Sequence, residues 1–359
     1  MGKINSLESL RGIAALSVVL YHFKIDSSFN NAFTDNAWLM VDFFFVLSGF
    51  VMALTYSDRI TSRAELSHFS KRRFLRLYPL HLLTLGVFIG LEVMKWFLVS
   101  HHSMMTLSPP FSEGKDFPSL LANLFLIQNL IIEKVSWNTA SWSISAEIFT
   151  YVVFACLILA FHDKPLKKYL TILLLLLVSQ IALHTYGMGT SNIQGPSRCV
   201  FAFFIGCLTY DLYIRKPESC FKYTGVVMCS LSVAVVTLCD RVSASLLPFI
   251  PLLFAATIYT VVRSDEHSRF IRLLEFKPFV YLGTISYGIY LWHLLVIYVV
   301  TVISRKGFGI PVVTGTDGWI RPEYSSVFIK DVVTLLVTLV TVLLAALSYR
   351  YFERKVYRR

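Results

Sequence analysis

Arg11 and His22 stand eleven residues apart on the first hydrophobic stretch of the chain, Leu7 to Phe23. On a helix that interval is three turns plus about 20°, so both side chains share one face with about 16 Å of rise between them. Ionisable side chains inside a membrane span are costly and are usually kept because they face a cavity and act there. An imidazole, which titrates near pH ~6.5 when unperturbed, suits proton transfer, and a guanidinium stays charged throughout. An interfacial arginine anchor and a satisfied interior histidine would leave the same spacing.

Further clusters carry polar groups into apolar surroundings. Ser70-Lys71-Arg72-Arg73-Phe74-Leu75-Arg76-Leu77-Tyr78-Pro79 is densely basic, with Arg72 and Arg76 on one helical face and Arg73 beside them. Guanidinium groups offer paired donors to phosphate oxygens, although for a lone basic cluster a topology signal or a contact with anionic lipid heads is the more ordinary reading. Asp42 to Phe50 opens a second span, in which Ser48-Gly49 suits close helix packing and Asp42, near the outer surface, is expected to be solvated. Trp142-Ser143-Ile144-Ser145-Ala146-Glu147 begins a fourth span. Glu147 has Ser143 at i−4 and Tyr151 at i+4, and a carboxylate at that depth must be protonated, paired or in a wet cavity. From Gly283 to His293, Ser286, Tyr290 and His293 share a face as a polar stripe, which a histidine hydrogen-bonded in a helix interface would also produce.

Positioning such groups requires elements that cross a bilayer. Of 359 residues, 55% are hydrophobic and 15% charged, too apolar for an ordinary soluble domain. The expected fold class is an all-α integral membrane protein. Apolar stretches near 8–25, 37–56, 78–98, 142–162, 168–186, 197–214, 223–239, 243–263, 279–303 and 329–351 make ten spans, the first retained as a helix rather than cleaved. Segment 118–132, shorter and carrying Asn123, Gln128 and Asn129, reads as a half-helix or re-entrant piece. With the N-terminus inside, most of the 33 lysines and arginines fall on the cytoplasmic side, and both termini are expected there.

The net charge of +11 comes from bases between apolar segments rather than along one face, which argues against nucleic acid as a partner. Cys156, Cys199, Cys207, Cys220, Cys229 and Cys239 show neither a Cys-x-x-Cys pair nor histidines at ligand spacing, so neither a disulfide framework nor a metal is expected. The loops near 99–141 and 304–328 would face outward and could cap a pocket. Residues 1–359 read as a single transmembrane domain with no appended soluble domain.

In order along the chain, these segments resemble the acyltransferase-3 family of bacterial membrane-bound O-acyltransferases. Arg11 through His22 is similar to its Arg-x10-His motif, and Phe43 to Phe50 to its Phe-Phe-x-x-Ser-Gly-Phe stretch. Arg73-Phe-Leu-Arg76-Leu-Tyr-Pro79, Trp142 to Glu147 and Ser286 to His293 match three further elements, whereas Lys355 stands where the closing motif would have proline.

The resemblance implies transfer of an acyl group, most often acetyl, from acyl-coenzyme A to a hydroxyl of a carbohydrate. The acceptor would be an exported polysaccharide, glycolipid or lipid-linked precursor, and the enzyme a multi-pass protein of the cell inner membrane. Arg72, Arg73 and Arg76 would then hold the coenzyme phosphates, with Arg11 positioning the thioester or guiding the coenzyme. His22 and Glu147 are the catalytic candidates: His22 as general base or as the residue that itself carries the acyl group, Glu147 as its orienter or a ligand for sugar hydroxyls. Asp42, Ser48, Trp142, Ser143, Tyr290 and His293 would line the substrate pocket. The alternative is a proton-coupled transporter or flippase of a glycan or small anion, against which the chain lacks the matching halves common in transporters.

Overall fold

The computed structural model describes residues 4–102, 106, 108–112, 114–133, 137–215, 223–315 and 317–354; Cys220 and Lys355 lie outside the described residues. In chain order come α1 (Asn5–His22), α2 (Met40–Tyr56), α3 (Arg63–His102), α4 (Phe117–Leu124), α5 (Gln128–Ile131), α6 (Trp142–Ala160), α7 (Pro165–Tyr186) and α8 (Gln194–Arg215). They are followed by α9 (Thr224–Thr237), α10 (Ile250–Val262), α11 (Lys277–Thr284) and α12 (Ser286–Phe308). An antiparallel hairpin, β1 (Val312–Thr314) and β2 (Ile320–Pro322), then leads into α13 (Val327–Ser348).

The protein is a multi-pass all-α membrane protein. Among the described residues, 7 helices are long and apolar enough to cross a bilayer, and α9 and the stretch containing α10 are shorter apolar helices. The chain divides into two compact units, residues 1–55 with 202–350 and residues 56–201 with 351–359.

In the first unit α1 is not among those apolar helices, and its packing explains why. It lies against α11 and α12 with most of its surface covered, so it needs no lipid-facing stripe and accommodates buried Ser6, Ser9 and Ser17. Its contact with α11 is backbone against backbone. A Cβ on Gly12 would come within 2.7 Å of the Gly283 nitrogen, and one on Gly283 within 1.9 Å of the Glu8 carbonyl oxygen. The Ser9 hydroxyl donates to the Leu274 carbonyl beside this crossing. Gly49 on α2 makes a similar approach, its missing Cβ 1.8 Å from the Phe203 carbonyl oxygen, as close packing at Ser48-Gly49 leads one to expect.

The span expected at 279–303 is instead two helices, α11 and α12, broken at Ile285. The Ser286 hydroxyl takes part in the break by donating to the Gly283 carbonyl.

In the second unit α3 runs for 40 residues, about 60 Å, roughly twice the hydrocarbon thickness of a bilayer. It starts well before residue 78 because Ser62 Oγ accepts from the Glu65 amide, while the Glu65 carboxylate accepts from the amide and hydroxyl of Thr61. The basic cluster therefore sits on a continuous helix. Farther along α3, Val93, Met94, Trp96 and Phe97 are exposed, as are Leu173, Leu174, Leu177 and Ile181 of α7, surfaces suited to lipid.

Segment 118–132 forms the short helices α4 and α5. Non-helical backbone at membrane depth is tolerated only where protein covers it, and here buried amides provide that cover. Gln128 Nε2 donates to Ser141 O and Oγ, both at 3.1 Å, and Asn129 Nδ2 donates to Thr190 O at 2.8 Å.

Candidate active site

His22 is the last residue of α1, and His293 sits two turns into α12. Both rings lie in the first unit, with centroids 4.9 Å apart and His293 fully buried. His22 Nδ1 is 3.0 Å from the Val18 carbonyl oxygen and 3.3 Å from His293 Nε2. His293 Nδ1 is 2.6 Å from the Tyr290 carbonyl oxygen.

These contacts favour one tautomer of each ring. A carbonyl only accepts, so Nδ1 of each ring must carry hydrogen. His293 then presents a lone pair at Nε2, and the His22 Nδ1–H is shared between it and Val18 O. In the neutral ring this leaves Nε2 of His22 unprotonated, the form a general base or nucleophile requires.

The other expected residues of this unit are placed as follows. Tyr290 is buried, its ring 5.7 Å from that of His293 and 6.2 Å from that of Phe44. Arg11 pairs through Nη1 with Glu8 Oε1 at 3.3 Å, so part of its charge is already matched. Ser48 is half-buried on α2. Asp42 corrects the expectation of a solvated carboxylate: it is fully buried, because the first turn of α2 is itself packed inside the unit.

In the second unit, Arg73 donates from Nη2 to the Tyr56 hydroxyl at 3.1 Å, with its guanidinium 5.2 Å from the Tyr56 ring centre. Its Nε and Nη1 are buried without hydrogen-bond partners. Beside it is a cavity of about 400 Å³ lined in part by Ser67, Phe69, Ser70, Lys71 and Tyr151. Buried donors left unpaired are costly, and a cavity lined by an arginine and a lysine suits an anionic group. Arg76 is half-buried and Arg72 exposed.

Glu147 is half-buried and accepts from the Tyr151 hydroxyl at 2.5 Å, the i+4 contact its spacing suggests. Ser143 donates to the Ala140 carbonyl at 3.2 Å. Trp142 is buried beneath the guanidinium of Arg198, 5.2 Å from its ring centre, an arginine that sequence reasoning did not single out.

Sequence reasoning also missed the hairpin at residues 312–322. Trp319 stands edge-to-face with His22, centroids 5.6 Å apart, and two residues on, Arg321 is ion-paired with Asp317. Burial by itself would raise the Asp317 carboxyl, but the Trp319 amide and the Arg321 guanidinium outweigh it and hold the group below its ordinary value. Asp317-Gly318 between Val312-Val313-Thr314 and Trp319-Ile320 is a hairpin signal that could have revealed the element.

A helical multi-pass membrane protein that brings two histidines together where α1 meets α12 is the class that fold and site define. The chain matches the acyltransferase domain family acyltransferase-3 over residues 4–351 and belongs to it. It is 26% identical over 338 residues to the peptidoglycan O-acetyltransferase OatA of Listeria monocytogenes, covering 83% of this chain and 50% of that one. It is 25% identical over 383 residues to the putative peptidoglycan O-acetyltransferase YrhL of Bacillus subtilis, covering 98% and 55%. With the acyltransferase MdmB of Streptomyces mycarofaciens it shares 31% identity over 164 residues, 42% of this chain and 38% of that one. The chain thus spans about half or less of the length of these relatives. No solved structure matches it.

Proposed function

We propose that this chain is an O-acyltransferase of the cytoplasmic membrane that moves an acyl group, acetyl first among candidates, from acyl-coenzyme A to a carbohydrate hydroxyl. The observation that carries the reading is the placement of His22: its Nδ1 lies 3.0 Å from Val18 O and 3.3 Å from His293 Nε2, an arrangement that in the neutral ring leaves Nε2 as the base. Family membership supplies the acyl chemistry, and the names of the relatives point to a peptidoglycan-type glycan as the acceptor class.

Nε2 of His22 takes the proton of the acceptor hydroxyl as its oxygen attacks the thioester carbonyl. The carbon–sulfur bond then breaks, and the departing thiolate recovers the proton from the imidazolium, leaving ester and free thiol. Such catalysis is typically worth about 10²–10⁴-fold. His293, accepting from Nδ1–H, holds the ring through both protonation states. Arg73, Lys71 and Arg76 bind the phosphates of the donor, and with the N-terminus inside the basic stretch faces the cytoplasm. Arg11, about 16 Å back along the same helix from His22, guides the arm of the coenzyme rather than touching the reacting carbonyl.

The test is alkali-labile acetyl ester in the wall and envelope carbohydrate of a host lacking its own O-acetyltransferases. Ester that appears with this chain and not with His22→Gln supports the reading. Protein-dependent movement of glycan across the membrane without any ester would instead point to transport.

A further inference from the structure

Trp319 is held in a way that its own packing does not require. The hairpin that carries it pairs Val312 with Pro322, Val313 with Arg321 and Thr314 with Ile320. Its turn closes through Gly315 N–H to Trp319 O and Gly318 N–H to Gly315 O, both at 2.9 Å, with Gly318 at a φ of +78°. The Trp319 amide donates to Asp317 Oδ1 at 3.2 Å, and the same carboxylate pairs with the guanidinium of the buried Arg321. Gly315 leaves room for that guanidinium, since a Cβ there would fall 2.2 Å from Arg321 Nη1. Tyr324, just past β2, fastens the base of the hairpin to α12 by a 2.6 Å hydroxyl contact with Ser304.

The indole so fixed is only half-buried. Against His22 it is edge-to-face, with an interplanar angle of 80°, so the imidazole takes at most one indole face. Among the described residues, nothing accepts a hydrogen bond from its Nε1–H. A rigid aromatic face with a polar edge, next to a base, is complementary to a sugar ring, which has an apolar C–H face and a rim of hydroxyls.

We infer that Trp319 is the acceptor platform: a pyranose ring stacks on the indole, which sets one of its hydroxyls toward Nε2 of His22. This rests on the reading of the chain as a carbohydrate acyltransferase and adds the residue that selects the acceptor. The hairpin supplies preorganisation, so the ligand does not have to order a loop on binding.

The test uses the full chain in nanodiscs with radiolabelled acetyl-coenzyme A and chitotetraose, a soluble β-linked N-acetylglucosamine oligosaccharide, as acceptor probe. Trp319→Ala is expected to raise the chitotetraose concentration for half-maximal labelling by about tenfold or more, and Trp319→Phe, which keeps an aromatic face, by less than about threefold. A merely structural tryptophan would lower the maximal rate in both variants and leave that concentration alone, which overturns the platform. Wild-type acceptor dependence in Trp319→Ala overturns it too, with the acyltransferase reading intact. Failure of the wild-type protein to label chitotetraose, while it labels native wall glycan, shows that the platform does not take this sugar and overturns it. If the wild-type protein labels neither, the underlying reading fails first.

Discussion

The Nε2 of His293 accepts from the Nδ1 of His22 across 3.3 Å, joining the end of α1 to the second turn of α12. The pair depends on axial register, because each residue of slip along α1 moves His22 by about 1.5 Å. The glycine contact between α1 and α11 fixes that register at the other end of the helix.

If His293 acts by orienting His22, its substitution should cost turnover rather than substrate binding. His293→Leu is expected to lower kcat by about tenfold to a hundredfold with both KM values within about twofold of wild type. His293→Gln, whose amide oxygen can accept from Nδ1–H, should recover most of the loss. Steady-state kinetics at matched membrane levels check this, and equal defects in the two variants would point to a packing role.

Arg73 has two buried donors without partners beside the cavity. Arg73→Gln should raise the KM for acetyl-coenzyme A by about tenfold or more, and Arg73→Lys should restore little because an ammonium lacks the planar paired donors. The same assay in rising salt should show a flatter dependence in Arg73→Gln than in wild type.

Gly283→Ala would press a methyl group against the Glu8 carbonyl oxygen, a backbone atom that cannot swing aside. Overpacking of this kind costs about 1–3 kcal/mol or more, so less protein should survive mild heating in detergent. Gly86→Ala is the matched control. Nothing lies within 4 Å of its missing Cβ, and the change is expected to be neutral or stabilising by up to about 1 kcal/mol.

Asp317 gives a pH signature. Its carboxyl is held below its ordinary value in the folded chain, so its contribution to stability is fully present above the unfolded pKa of about 3.9 and disappears as pH falls through the lower folded value. The melting-temperature difference between wild type and Asp317→Asn should therefore be the same at pH ~6 and ~8 and shrink below pH ~4. The carboxylate is a third exposed, which limits the effect to about 0.2–1 kcal/mol.

Legibility in the sequence followed physical cost. Arg11, His22, Glu147 and His293 stood out because ionisable groups in apolar runs are expensive, and the helices fall where the apolar stretches lie. The break at Ile285 was hidden because no proline interrupts Gly283 to His293, and Ser286 reads as a member of a polar stripe on one continuous helix. Asp42 was misplaced because hydropathy locates a span end and not what packs around it. The start of α3 was written in Thr61, Ser62 and Glu65, a capping signal overshadowed by the basic residues after it. Trp319 reaches His22 across nearly three hundred residues of chain by way of a hairpin, a tertiary contact that no helical period encodes.

The most direct test of the central claim is transfer of radiolabelled acetyl from acetyl-coenzyme A into carbohydrate by membranes containing this chain, beside His22→Ala at matched abundance. The account predicts label in carbohydrate with the wild-type chain and a loss of about 10²-fold or more with His22→Ala. Equal labelling by the two proteins would contradict it.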